Sequence, residues 1–236
     1  MNRDFLSNTE LFFSSSIDLE ENKIIISDEE FHHLAKVMRK KEGDKIFVTD
    51  GKGAIYESKI SALNKRKAAL NILNSIKYTD KLRNISFYIP NLHNKERMRF
   101  AVEKLIELGF TKITIYNSSR TVAKGFNQAK WEKVAIASIK QSLRAFLPEI
   151  SFCENLMKSE INNLIFFDQN GTDKLIDARG KINFNNNISV LIGPEGGLSE
   201  EEIKHLKPKY LFKLNDYRLR SETAVITVAS IISSLV

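Results

Sequence analysis

Several things are scarce in this chain, and each scarcity excludes something. There is one cysteine, Cys153, so no disulfide can form within the chain, and no Cys/His cluster has the composition of a zinc site. That fits a reducing compartment. No apolar run is long enough to span a bilayer. The longest, residues 224–236, is broken by Thr227, Ser230, Ser233 and Ser234. The first residues carry Asp4 and Glu10 and no apolar signal core. The expectation is a soluble cytoplasmic protein with no metal and no membrane partner. Glycine is sparse, ten in 236 residues, and proline sparser, four. Three of those glycines and one proline nevertheless fall in a single pentapeptide, Gly193-Pro194-Glu195-Gly196-Gly197.

Charge is present in excess of one sign. The net charge is +7, and it is unevenly spread: residues 79–150 hold 13 Lys and Arg against six Asp and Glu, while the flanking thirds are close to neutral. A local basic surface suits a polyanion such as nucleic acid; a solvated lysine-rich face explains it equally well.

Residues 1–77 read as a small, mostly β module. Leu11-Phe12-Phe13 and Ile24-Ile25-Ile26 are strand-like, and Ser27-Asp28-Glu29-Glu30 reads as a capping box opening a short helix. Residues 45–50 and 54–60 flank Gly51-Lys52-Gly53 as a hairpin, and 67–73 add a strand. From residue 78 the pattern alternates. Ile85–Ile89 is a strand, Asn94 caps a helix carrying Met98, Ala101, Val102, Leu105 and Ile106, and 112–116 is a strand. A long helix is expected over 127–146, strands over 164–167 and 189–192, a helix over 199–206, a strand over 210–214 and a last helix over 222–235. Strands alternating with helices predict a mostly parallel sheet covered on both faces, hence an α/β domain over 78–236.

Three strand ends in that domain carry polar or glycine turns: Phe166-Phe167-Asp168-Gln169-Asn170-Gly171, the Gly193 pentapeptide, and Leu214 to Ala224. Open α/β sheets place ligands at the carboxyl ends of strands. The pentapeptide is neither a phosphate loop nor a dinucleotide fingerprint, since no Gly-Lys-Ser/Thr follows. On its own it reads as a tight structural turn, or as bare backbone that a ligand can approach. Arg218 and Arg220 suit an anion or an ion pair with Glu222, and Ser221 suits a helix cap. Arg144 near the end of the long helix suits the helix dipole. His32 and His33 are adjacent on a helix and so point apart, one toward packing and one toward the surface.

Taken in order, six motifs resemble the bacterial 16S rRNA uracil-N3 methyltransferase family, the RsmE type of the SPOUT superfamily. They are His32-His33-Leu34 with Val37-Met38-Arg39 and Gly43-Asp44; Asp50-Gly51-Lys52-Gly53; Glu103-Lys104 with Glu107-Leu108-Gly109; Gln141-Ser142-Leu143-Arg144 with Pro148-Glu149-Ile150; Leu191 to Ser199; and Leu214 with Leu219 to Ala224. The resemblance implies a PUA-like small β-barrel RNA-binding domain over 1–77. It implies a SPOUT α/β domain over 78–236 with a deep trefoil knot, and a homodimer. It further implies S-adenosylmethionine as methyl donor and N3 of a uridine in 16S rRNA of the 30S subunit, family position uracil 1498, as acceptor. The donor site carried over is Phe167 and Leu191; Gly193, Pro194, Glu195, Gly196 and Gly197; Leu214 and Asn215; and Leu219, Arg220, Thr223 and Ala224. Arg220, then Arg144, and Glu222 are the catalytic candidates. His33, Arg39, Arg97, Arg120, Gln141 and Arg144 are the RNA-binding ones. The chain departs from the family where Asn215 replaces a glycine, Tyr217 an arginine, and Ala137 and Lys140 acidic residues. Asparagine tolerates the left-handed region better than most residues, so the turn at 215 is expected to keep its shape. A non-catalytic RNA-binding assembly factor on the same fold, or a SPOUT enzyme with another RNA target, remains as the alternative.

Overall fold

The computed structural model describes residues 9–121, 123, 125–168, 171, 173–175 and 182–236; Asp4, Gln169 and Asn170, read above from the sequence, lie outside these. By its internal contacts the chain forms two units, Met1–Asp80 with Ile136–Leu147, and Lys81–Ala135 with Pro148–Val236.

The first unit is a six-stranded mixed sheet. Its strands are β1 (Leu11–Phe13), β2 (Ser16–Asp18), β3 (Lys23–Ser27), β4 (Lys45–Thr49), β5 (Ala54–Leu63) and β6 (Lys67–Lys77), in the order β1-β4-β5-β6-β3-β2. Register breaks between Glu57 and Ser58 and between Ile60 and Ala62 curve the long β5–β6 pair. Alternate residues point inward, so Phe12, Ile24, Ile26, Ile46, Val48, Ile60 and Leu70 form one core, closed by Leu34. Leu34 lies in a wide turn (His33–Val37) that continues α1 (Asp28–His32), with Met38 N–H bonded to His33 O at 2.9 Å.

The expected capping box at Ser27 does not form. Ser27 Oγ donates to Asp28 Oδ2 at 2.6 Å, and Asp28 sits at φ 54°. Glu30, its intended partner, instead accepts Phe13 N–H at 3.2 Å and pairs with Lys140. Lys140, one of the departures from the family pattern, is thus an internal partner of the first unit.

Asp50 organises the β4–β5 turn. Its Oδ1 accepts Lys52 N–H at 2.7 Å and Ala54 N–H at 3.3 Å, and its Oδ2 accepts the Tyr56 hydroxyl at 3.0 Å. Burial, then the hydrogen bond and charge of Asp50, push the Tyr56 phenol up to about 12 from its ordinary 10. The folded state therefore favours the neutral phenol. The stabilisation is complete below pH 10 and is lost as the pH rises through 12. Urea unfolding of wild type and Tyr56→Phe should show wild type the more stable at pH 9. At about 1.4 kcal/mol per pH unit, the gap should shrink by roughly 2–3 kcal/mol by pH 12. A pH-independent gap would contradict this coupling.

The second unit is a parallel sheet of seven strands: β7 (Ile85–Pro90), β8 (Lys112–Tyr116), β9 (Glu149–Cys153), β10 (Leu164–Phe167), β11 (Asp173–Lys174), β12 (Ile188–Ile192) and β13 (Tyr210–Lys213). The order is β11-β13-β10-β12-β7-β8-β9. The central strands are mostly apolar, as burial on both faces favours; all four residues of β10 are buried, and β12 is apolar except at Ser189. Helix α2 (Lys95–Glu107) starts where Asn94 Oδ1 accepts Glu96 and Arg97 N–H at 3.0 Å, and it buries Met98, Ala101, Val102, Leu105 and Ile106. Helix α3 (Gln128–Gln141) ends five residues short of the expected 146. Ser142 Oγ bonds back to Ser138 O, Leu143 turns to φ 54°, and Ala145 O accepts Gly53 N–H at 2.9 Å. Helices α4 (Glu200–Leu206) and α5 (Ser221–Leu235) complete the unit. Among the described residues no helix is long and apolar enough to cross a membrane.

Candidate active site

Strands β13, β10 and β12 are neighbours, so the loops leaving their carboxyl ends meet. Between them is a cavity of about 280 Å3, lined by Phe167 and Asp168 after β10, by Ile192 to Gly197 after β12, and by Lys213, Leu214, Asn215 and Tyr217 to Leu219 after β13. Ser221 and Ala224, at the start of α5, close it.

The glycine turn is held through its carbonyls. Buried Tyr116, at the end of β8, donates its hydroxyl to Ile192 O at 2.6 Å. Ser221 Oγ reaches Gly193 O at 3.4 Å, Gly197 N–H bonds Pro194 O at 2.9 Å, and Arg218 Nη2 donates to Glu195 O at 2.7 Å. Arg120 donates to Gly196 O. Five successive carbonyls thus take donors from the turn itself, β8, α5 and two other loops. Tyr116→Phe should cost about 1–3 kcal/mol, because it strips a donor from a buried carbonyl without creating a cavity. Chemical denaturation measures it; an unchanged midpoint would show that the bond contributes nothing.

Only part of the turn's glycine content is conformational. Gly197 sits at φ 68°, where a side chain is strained. Gly193 and Gly196 do not. A Cβ on Gly193 would meet the Phe166 ring at 3.5 Å, and one on Gly196 would meet Arg120 Cδ at 3.6 Å, both ordinary contacts. Neither backbone strain nor crowding by the protein calls for glycine at these two positions. What their bareness provides is exposed backbone at a cavity wall.

Beneath the turn, Ser199 forms the capping box of α4 with Glu202, as expected. Glu202 also accepts Ser119 N–H at 2.7 Å and Ser119 Oγ at 3.1 Å. Burial alone would push its carboxyl up; the bonds from Ser199 and Ser119 outweigh burial and hold it below the ordinary carboxylate range.

Residues 83–233 match the RNA methyltransferase domain family, and residues 26–73 match the RNA methyltransferase PUA domain. The chain belongs to the RNA methyltransferase family. It is 29% identical over 230 residues to ribosomal RNA small subunit methyltransferase E of Buchnera aphidicola subsp. Schizaphis graminum, covering 88% of this chain and 89% of that protein. It is 27% identical over 227 residues to ribosomal RNA small subunit methyltransferase E 2 of Borreliella burgdorferi, covering 88% and 90%. Among solved structures, a predicted RNA methyltransferase from Thermotoga maritima superposes with a TM-score of 0.75 at 31% identity, over 95% of this chain and 97% of that one. Ribosomal RNA small subunit methyltransferase E from Neisseria gonorrhoeae, bound to S-adenosyl methionine, shares the fold with a TM-score of 0.83 at 24% identity, over 97% and 98%. The architecture is accordingly an N-terminal PUA-like domain followed by a methyltransferase α/β domain with a parallel sheet.

In this RNA methyltransferase, Phe167, the whole 193–197 turn, Leu214, Asn215, Leu219 and Ala224 come together on the one cavity. Leu191 is instead fully buried in the core with Tyr116, Phe166 and Leu206. Arg220 and Thr223 are exposed and outside the lining, and Arg220 is the N-cap residue of α5 without a side-chain cap bond. The helix starts at Ser221, so Ser221 is not its cap; its hydroxyl serves Gly193 instead. Among the described residues, neither Arg218 nor Arg220 is the ion-pair partner of Glu222. That partner is Arg97, whose Nε lies 3.5 Å from Glu222 Oε1 while Nη1 lies 3.5 Å from Glu195 Oε1. Asn215 does not use the left-handed region at all; its Oδ1 accepts Tyr217 N–H at 3.2 Å, which shapes the turn by side chain rather than by φ. In the first unit, His33 bonds Glu10 at 2.6 Å, Arg39 is exposed at φ 52°, and Gln141 and Arg144 are exposed at and beyond the end of α3. Asp168, Ile192, Lys213, Tyr217, Arg218 and Ser221 line the cavity without having been picked out as its residues. For Ser221 the available signal was its place inside the Leu219 to Ala224 motif, and for Arg218 its position between Leu214 and that motif.

Proposed function

We propose that this protein uses S-adenosylmethionine to methylate 16S rRNA of the small ribosomal subunit at N3 of a uridine, family position uracil 1498. The observation that carries the reading is the bare backbone at Gly193 and Gly196, on a cavity built by three adjacent strand ends, which nothing in the protein itself requires. The methyltransferase E relatives and the donor-bound Neisseria structure support the same choice of donor and RNA.

The lining fits the donor. Ile192, Leu214 and Leu219 offer an apolar slot for an adenine, the glycine turn offers backbone polar groups, and Asp168 and Glu195 offer carboxylates for a cationic ligand. When bound, S-adenosylmethionine supplies an electrophilic methyl group. The protein's task is to make the uracil N3 a nucleophile and to align it, and alignment is worth up to about 7–11 kcal/mol in ideal cases. Loss of the N3 proton spreads negative charge over the uracil oxygens. Arg220, exposed at the head of α5, is the group assigned to stabilise that charge, with Arg144 as the second candidate. Glu222 is buried and its Oε2 has no hydrogen-bond partner among the described residues. It is an acceptor in waiting, for an arginine or for a proton. His33, Arg39, Arg97, Arg120 and Gln141 remain the proposed RNA contacts, with the target base unstacked from its neighbours. The same reading takes the protein as a cytoplasmic homodimer with a knotted C-terminal region.

The test is methyl transfer to 30S subunits carrying unmodified rRNA, read by mass mapping of nucleosides, with calorimetry of the donor alongside. Expected are N3-methyluridine at one position and donor binding. RNA binding with no donor binding at millimolar concentration would instead identify a non-catalytic RNA-binding factor.

A further inference from the structure

Glu202 does more than its helix needs. A capping box is complete once Glu202 accepts Ser199 N–H, which it does at 2.8 Å through Oε2. The side chain is 2% exposed, and burying a carboxylate is costly unless its lone pairs are used. The remaining acceptor capacity is spent on one residue 83 positions away, Ser119, whose N–H and hydroxyl both bond it. Ser119 lies in the loop after β8, which is closed on itself by Ser118 N–H donating to Thr121 Oγ1 at 2.8 Å. The next residue is Arg120. Its Nη1 donates to Gly196 O, and its stem lies against Gly196. A continuous line of contact therefore runs from the α4 carboxylate through Ser119 and Arg120 to the glycine turn. Arg120 itself is exposed. A guanidinium carries five N–H donors in a fixed plane. Anchoring one on a backbone carbonyl orients the plane and leaves others for an anion.

We propose that Glu202 is a positioning residue for RNA: by fixing Ser119 it holds Arg120 at the rim of the glycine turn, where the guanidinium takes a phosphate of the RNA strand carrying the target base. This rests on the methyltransferase reading above. Arg120 makes the contact; Glu202 acts only through it.

The test is a double-mutant cycle on RNA affinity, with filter binding of labelled 16S rRNA at several salt concentrations and calorimetry of S-adenosylmethionine on the same variants. Arg120→Ala should weaken RNA binding about tenfold and lower the salt slope by about 0.7–0.9, the share of one phosphate. Glu202→Gln should weaken it severalfold and, combined with Arg120→Ala, add less than twofold. Ser119→Ala, which removes the hydroxyl and keeps the backbone N–H bond to Glu202, should move RNA affinity the same way by a smaller factor. Donor affinity should fall by clearly less than RNA affinity in all of them, since Arg120 also holds one carbonyl of the glycine turn. Effects of Glu202→Gln and Arg120→Ala that multiply, an unchanged salt slope in Arg120→Ala, or donor affinity falling as much as RNA affinity would each overturn the proposal. If wild type binds no RNA, the methyltransferase reading falls and takes this inference with it; if wild type binds and the cycle is multiplicative, only the role of Glu202 falls.

Discussion

Gly171→Ala should lower the stability of this protein by about 3 kcal/mol or more and abolish the cavity's affinity for S-adenosylmethionine. A Cβ at Gly171 would stand 2.5 Å from Phe212 C, 2.6 Å from Lys213 N and 2.8 Å from Phe212 O. All three are backbone atoms of β13, so no rotamer change relieves the overlap. The strand must move, and Phe212 is both buried and in register with Phe167 of β10. Overpacking a tight site costs 1–3 kcal/mol where side chains can adjust, and more where they cannot. Lys213 and Leu214 follow directly and line the cavity, so the displacement reaches the ligand side. Gly193→Ala is the informative companion. Its Cβ meets only ordinary contacts, so its urea midpoint should match wild type while donor affinity falls. Gly171→Ala with wild-type stability would show the crowding argument to be wrong.

Arg220→Ala should cut kcat for methylation of 30S subunits about 100–1000-fold while leaving the thermal midpoint and donor affinity near wild type. The magnitude is that of removing one donor aimed at charge that develops during reaction. The separation follows from where Arg220 sits. It is exposed, its side chain does not cap α5, and it lies outside the cavity lining. Neither the capping of α5 nor the cavity lining uses its side chain, so a loss confined to turnover would point to the chemical step. Arg144→Ala tested in parallel decides which arginine carries the charge. Unchanged turnover in Arg220→Ala would remove it from the mechanism. A drop in donor affinity equal to the drop in turnover would make it a binding residue.

What was legible beforehand followed local rules. Helix α2 announced itself by Asn94 and five apolar positions at helical spacing, and α4 by Ser199 with Glu202, because both depend on residues within one turn of each other. Ser27 with Glu30 has the same spacing and failed, since Glu30 is drawn to Phe13 N–H and Lys140, 17 and 110 residues distant. The end of α3 was misplaced for the same reason: Ala145 and Phe146 are used as partners of Gly53 and Lys52. The edge strands β2, β9 and β11 carry too little pattern to be seen. The glycine turn was recognisable as a strand-end turn, yet its clamps were not. Tyr116, Arg120, Arg218 and Ser221 reach it from separate loops and strands, and no spacing rule links a tyrosine to a carbonyl 76 residues on.

The discontinuity of the first unit has a bearing on how the chain is made. Thr49 reaches Ala145 O across 96 residues, Gly53 N–H needs Ala145 O, and Leu147 N–H needs Gly51 O. These partners emerge from the ribosome only after β7, α2, β8 and α3 have been synthesised. Domains usually fold as they appear, amino-terminal first. Here the first sheet must wait, with its β4–β5 turn unfinished, until more than half of the chain has been translated. An RNA methyltransferase of this design completes its first domain from the middle of its own sequence, and separating residues 1–80 as an independent module would leave that turn without its closing segment.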